Sequence, residues 1–436
     1  MKKLFCFSFL FCFTILSQSS SAQNNSSQRL KIFIDCQSWS CPMDFIRSEI
    51  KFIDYVNDRF AADVYILMTT AETGGGGREY KIYFEGLASF KLQNDTLTYI
   101  RTAIETEDED RRKMVQVLKL GLVRYMAKTS LGQKLLISIP TDINEEEQQT
   151  TSKKDKWNAW VFNTRINGNF NGSDNYTYSN LRFSFSAGRV TEKLKLKFSA
   201  NYNDSKDKYI SNYYDLNVDT LISSDTTRSL NKQSNLNGTV AVSISDHWSV
   251  GVFSNFYTST YSNIKSSFAL KPAIEYSFFP YKTFTTKYMG FLYKIGLIRN
   301  LYDTISWRNK WNELLVQQNL SFDMSFKQKW GSAFLSMYWS NYFFDWKWNN
   351  YGFFGSVDFR IVKGLSFNAY GGLSYIHDQI ELPKGNATQT QVLTRQRILR
   401  NTFQYDFGFG LSYQFGSIYN NVVNPRLGEA SGFFFF

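Results

Sequence analysis

The sequence predicts an α+β periplasmic domain followed by an antiparallel transmembrane β-barrel of about twelve strands. Three observations carry this expectation. Aromatic residues make up 18% of the 436 residues, yet the mean hydropathy is only −0.34. Beyond the N-terminus no apolar run approaches the roughly 20 residues that a membrane-spanning helix needs. From about residue 157 onward, apolar residues recur with a period of two. A barrel reconciles all three, because only alternate residues of each strand meet lipid.

The elements follow in order. Lys2 and Lys3 precede the short apolar stretch Leu4 to Leu16, and Ser20-Ser21-Ala22 offers a small-residue cleavage site before Gln23. Residues 1–22 therefore read as a signal peptide. Cys12 lies inside the apolar run and Cys36 well past it, which disfavours a lipoprotein. Loss of the two leader lysines lowers the formal charge from +11 to +9. The remaining basic residues are scattered, and export argues against a nucleic-acid partner. Only Cys36 and Cys41 survive processing. An oxidising periplasm lets them form a small-loop disulfide, with free thiols as the alternative; redox catalysis calls for the tighter C-x-x-C spacing.

Residues 23–141 read as a compact α/β domain in the periplasm. Leu30 to Asp35 is a strand, and Ile46, Ile50, Ile53, Val56 and Phe60 recur at helical spacing between Met43 and Phe60. Ala62 to Thr70 and Arg78 to Leu87 are strand-like. Gly74 to Gly77 join them, so this run is a hairpin tip rather than a phosphate loop, which leads from a strand into a helix. Thr96 to Ala103 gives a further strand. Glu107 to Asp110 open a second helix with Met114, Val117, Leu118, Leu122 and Tyr125 on its apolar face. Lys134 to Ile139 is expected as the closing strand, and residues 142–156 as a polar linker.

Residues 157–415 form the barrel, and residues 416–436 a C-terminal tail. In the last strand Phe403, Tyr405, Phe407, Phe409, Leu411, Tyr413 and Phe415 share one face, and Gln404, Asp406, Gly408, Gly410, Ser412 and Gln414 the other. An aromatic face toward lipid and a small polar face toward the interior is the pattern of a membrane barrel. Twelve such segments are counted, with ten or fourteen still compatible. Short inner turns fall near Thr191-Glu192, Ser245 to His247, Gln328 to Gly331 and Lys363-Gly364, with a longer one at Tyr281 to Thr286. Segments 204–233 and 382–397 are expected as long outer loops. Trp157, Trp248 and Trp330 then lie near the inner interface, and Trp307, Trp311, Trp346 and Trp348 near the outer one.

Projecting the alternation inward places Arg165, Arg182, Lys195, Lys197, Lys271, Lys294 and Arg360 in the lumen, with Glu275, Asp323, Asp358 and Asp406. Charges in a narrow lumen must be paired or hydrated. They read either as an internal salt-bridge network or as the lining of a selective pore, which the basic excess would bias toward anions. The only histidines are His247, in an inner turn, and His377, projecting outward near the outer end of its strand. No cofactor, metal site or catalytic residue is expected.

The stretch from Phe403 through LSYQFGSIYNNVVNPRL resembles the closing strand and tail of uncharacterised outer-membrane β-barrels of Bacteroidota-type bacteria. The tail beyond Phe415 departs from the commoner pattern, in which an aromatic residue ends both strand and chain. The N-terminal order of elements, with Ala62-Asp63-Val64 opening the hairpin, resembles the amino-terminal domain of TolB-like periplasmic proteins, which implies protein contacts rather than catalysis. The expected function is a non-enzymatic outer-membrane barrel with a periplasmic docking domain, as a narrow selective pore or an envelope-assembly component. Its expected partners are outer-membrane lipid, the barrel-assembly machinery and a periplasmic or envelope protein. The alternative is an outer-membrane lipase or acyltransferase that depends on His377.

Overall fold

A computed structural model of the chain describes residues 29–421, apart from 37–40, 74–75, 131, 138–155, 216–219, 363, 387, 389–398, 418 and 420. The signal peptide, nearly all of the linker and most of the tail lie outside the described residues.

The N-terminal region is built on a mixed five-stranded sheet. Its strands are β1 (Lys31–Cys36), β2 (Asp54–Tyr55), β3 (Val64–Glu72), β4 (Arg78–Gly86) and β5 (Asn94–Arg101), in the order β2-β1-β3-β4-β5. Strand β1 runs parallel to β2 and β3, and the other pairings are antiparallel. Helix α2 (Glu107–Met126) starts at a capping box in which Thr106 and Glu109 satisfy each other's backbone N–H groups. It lays Met114, Leu118, Leu122 and Tyr125 on Ile32, Ile66, Ile82 and Phe84, all buried. Gly121 is required here, since an added Cβ would lie 2.1 Å from the Phe84 ring.

Two expectations for this region need correction. Helix α1 covers only Met43–Glu49; the chain then turns and enters β2 instead of remaining helical to Phe60. Ile46, Ile50, Ile53 and Val56 are buried all the same, while Phe60 is exposed. The spacing identified the core positions, but β-branched Ile50, Ile53 and Val56 favour an extended chain. Nor does a closing strand occupy Lys134 to Leu136 and Ile137. Lys134 ends a single helical turn that starts at Gly132, and Leu136 and Ile137 beyond it are exposed and pair with no strand. Cys36 and Cys41 are joined as a disulfide, tying the end of β1 to the start of α1.

The rest of the chain is one antiparallel sheet of twelve strands, each paired with its neighbours in sequence. They are β6 (Trp160–Ser173), β7 (Tyr176–Val190), β8 (Leu194–Asp215), β9 (Thr220–Ser243), β10 (Trp248–Ser259) and β11 (Ile264–Ser277). There follow β12 (Lys287–Tyr302), β13 (Asn312–Gln328), β14 (Gly331–Tyr342), β15 (Asp345–Val362), β16 (Leu365–Ile376) and β17 (Phe403–Tyr413). This topology fits a large β-barrel, but the sheet is not closed: β6 and β17 are its two edges. Alternation specifies which face a residue takes, not which edges meet.

One of the two expected outer loops also differs from expectation, and most of the other, 382–397, lies outside the described residues. Segment 204–233 is not a loop, because β8 and β9 run through it as a hairpin of 22 and 24 residues. Polar residues on both faces suit a ribbon that leaves the apolar zone, and they disguised these strands as a loop. Strand β10, next to them, has only 12 residues. At about 3.3 Å per residue, the ribbon outreaches its neighbour by tens of ångströms.

Candidate functional site

The pairing registers decide which side chains share a face. Following them from β6 to β17 puts all eleven projected lumen charges on one face. Arg165 stands opposite Ser184, and Arg182 opposite Asn203. Lys195 and Lys197 face Ala241 and Thr239, while Lys271 and Glu275 face Phe253 and Ser249. Lys294 faces Asn319 and Asp323 faces Ser336; Asp358 and Arg360 face Asn368 and Ser366; Asp406 faces Gly372. The opposite face carries Phe162, Phe183, Phe198, Val240, Phe291 and Phe407, all exposed.

The polar face is held mostly by neutral partners, which is not the salt-bridge network that formed one of the two readings of its charges. Lys271 Nζ donates to Gln317 Oε1 at 2.6 Å and to Asn319 Oδ1 at 2.8 Å. It reaches them across β12 at Gly296, where an added Cβ would come within 2.7 Å of Lys271 Cα. Tyr281 and Tyr288 both donate to Glu275 Oε1. Ser336 donates to Asp323 at 2.6 Å, and Lys294 lies over the Phe253 ring. Arg165, Arg182, Lys195, Lys197, Asp358 and Asp406 form no ion pair among the described residues.

One of the eleven projected charges does have a charged partner, and it comes from the other region. Arg360, near the short-turn end of β15, makes two parallel bonds to Asp35 of β1, at 2.8 and 2.9 Å. A planar guanidinium matches a carboxylate in this paired geometry. Tyr65 donates to the same carboxylate at 2.7 Å, and the Phe33 ring lies 5.0 Å beneath the guanidinium. Burial and the neighbouring carboxylate push the Tyr65 phenol well above its usual range. Around this pair, Tyr83 hydrogen-bonds Thr285, Glu85 pairs with Lys329, and Arg59 donates to the Lys329 carbonyl. A cavity of about 460 Å³ remains between the regions, lined by Phe33, Arg47, Arg59, Phe60, Arg360 and Gln414 among others.

The register of the small sheet explains the seat. Phe33, Tyr65 and Glu85 are cross-strand neighbours, as are Asp35, Leu67 and Tyr83. These residues occupy the face away from α2, and the ends of the larger sheet cover it. Tyr65 and Leu67 are consequently buried. The sequence held a signal for this in Val64 to Met68, an unbroken apolar run. Such a run marks a strand buried on both faces, and the predicted helices could cover only one.

The opposite end of the polar face is covered by the connection after β16. Ile380 is fully buried against Ile298, Leu315 and Tyr342. Asn263 donates to the Glu381 carbonyl at 2.8 Å, Trp307 N–H donates to the Leu382 carbonyl, and Trp307 Nε1 to that of Gln379. Burial raises the carboxyl of Asp378 and takes that of Glu381 up to about 7, with Asp378 adding to the latter. His377 stays on the apolar face, stacked on Tyr375 at 4.2 Å.

No family model matches the chain, and no curated protein matches it. Among solved structures it is similar to a FadL homologue of Pseudomonas aeruginosa, at 10% identity and a TM-score of 0.25, over 59% of this chain and 75% of that one. It is also similar to the β domain of the Bordetella autotransporter BrkA, at 12% identity and a TM-score of 0.23, over 59% and 98%. At these TM-scores neither likeness bears on function.

Proposed function

We propose that the chain is an outer-membrane β-barrel whose polar interior forms a narrow passage, with its own N-terminal domain seated in the periplasmic mouth as a plug. The observation that carries this reading is the paired bond from Arg360 to Asp35. It commits a half-buried lumen charge to the N-terminal domain, and it turns the helix-free face of that domain toward the strand ends. A domain held this way supports a plug more than a free dock for another envelope protein. Partners beyond lipid and the assembly machinery then act on an exposed surface or displace the plug.

Membrane insertion requires the two sheet edges to meet, since hydrocarbon offers no partner for an unpaired ladder. Strands β6 and β17 are antiparallel by strand count, and both carry the alternation. Closure brings the polar face of β17, with Asp406, beside that of β6, with Arg165. Basic residues outnumber acidic ones among the projected charges, seven against four, so the passage favours anions.

Planar-bilayer conductance of the purified protein tests the reading. The native chain is expected to be mostly closed, and Asp35→Ala to show frequent anion-selective openings. A chain that stays silent with Asp35→Ala and also without residues 23–141 has no passage to plug. Hydrolysis or acyl transfer on outer-membrane lipid, lost in His377→Ala, would favour an enzyme instead.

A further inference from the structure

The five-stranded sheet has a free edge at β2, and an unpaired strand edge is a template for another extended chain. That edge is occupied. Val56, directly after β2, forms an antiparallel bridge with Tyr419 of the C-terminal tail. Asn421 grips the same edge twice: its Oδ1 accepts the Tyr55 N–H at 2.6 Å, and its Nδ2 donates to Asp54 Oδ1 at 2.9 Å. Asn57 Nδ2 donates to the Ser417 carbonyl at 3.2 Å. The side chain of Asn421 thus substitutes for a main-chain partner at Tyr55 and reads an acidic neighbour in the same contact.

We propose that the β2 edge is a strand-addition site for an extended, asparagine-bearing peptide, and that the segment carrying Ser417, Tyr419 and Asn421 is its resident occupant. The site goes beyond the plug reading, since it is an interaction surface whether or not the barrel conducts. Main-chain pairing supplies the hold, and the Asn421 amide, set between the Tyr55 N–H and the Asp54 carboxylate, supplies the selectivity. It also gives the extra residues after the last strand a role, as a latch from the barrel's final strand to the N-terminal domain. A tethered occupant acts at an effective concentration of roughly millimolar. An outside peptide of the same type therefore competes only when the tail is weakened or withdrawn.

The test uses full-length protein in detergent and a fluorescein-labelled peptide with the sequence of residues 415–423. Three chains are compared: native, Tyr419→Pro with Asn421→Ala, and Val56→Cys with Tyr419→Cys. Directly opposed antiparallel residues lie roughly 4.5–5.5 Å apart, within reach of a disulfide, so the cysteine pair should close spontaneously and be found by peptide mapping. The tail-disabled chain is expected to bind the peptide at least about tenfold more tightly than the native chain. The locked chain should not bind it, and a peptide with alanine in place of its second asparagine, the counterpart of Asn421, should lose most of its affinity. Equal binding to the disabled and locked chains, no binding to the disabled chain, or absence of the engineered disulfide would each overturn the proposal. None of these readouts involves conductance, so failure of the passage reading and failure of the latch are separately visible.

Discussion

The N-terminal domain and the twelve-stranded sheet use the same apolar residues in opposite ways. In the domain, Ile46, Ile66, Ile82, Leu118 and Leu122 are buried against one another, and Glu107, Glu109, Arg112 and Arg124 of α2 are exposed. In the sheet, Phe183, Phe291, Phe407 and Leu411 stand exposed, while Lys271, Glu275 and Asp323 turn to the side where hydrogen-bond partners are found. The difference shows that a residue type does not carry its own location. A period near 3.6 beside a mixed sheet calls for a dry core, whereas a long period of two with aromatics on one side calls for lipid.

The largest expected effect tests the dry core. Leu118→Ala removes a fully buried side chain between α2 and the sheet and should destabilise the domain by roughly 2–5 kcal/mol. Hydrogen exchange of α2 in the full-length protein reads this directly. Unchanged protection would mean that α2 does not rest on the sheet as described.

A slightly smaller effect contrasts the two faces of β17. Phe407→Arg should cost about 2–4 kcal/mol near the bilayer midplane, while Phe407→Leu should be mild. At Gly408 size rather than charge decides, because an added Cβ would lie 2.4 Å from the Tyr370 ring. Gly408→Ala should therefore already weaken folding, and Tyr370→Ala should relieve it. Denaturant unfolding in lipid vesicles measures all four variants. Equal tolerance of arginine and leucine at position 407 would reverse the assignment of the faces.

The smallest effect concerns the connection that covers the outer end. Glu381 titrates near 7 when the segment is seated, above the ordinary value of 4.5. The seated state binds the proton more tightly, so its contribution is full below about 4.5 and is lost as pH rises through 7. Protease access to the segment after β16 should accordingly increase between pH 5 and pH 8. Glu381→Gln should keep the segment covered across that range, and an identical pH profile in that variant would remove Glu381 from the account.

Much of this architecture was legible locally. Twelve strands, their faces and the inner turns follow from alternation, because the direction of a strand side chain depends only on its position along that strand. The same rule put the eleven projected charges on one face, although it missed Glu313 and Lys327, which the registers place there too. Local pattern failed where two conformations bury the same positions, as in the stretch from Ile50 to Val56, and where polar residues on both sides of a ribbon hid β8 and β9. It could not supply partners far apart in the chain. Asp35 and Arg360 are separated by 325 positions, and Asp54 and Asn421 by 367. Nothing in either neighbourhood marks one for the other, since an ion pair or an added strand is chosen by which surfaces the fold brings together. The sequence by itself determined what each strand shows to lipid and to the interior. Only the tertiary structure decided that the N-terminal sheet turns its uncovered face to the strand ends, where burial of Tyr65 and Leu67 and the satisfied charge of Arg360 hold it in place.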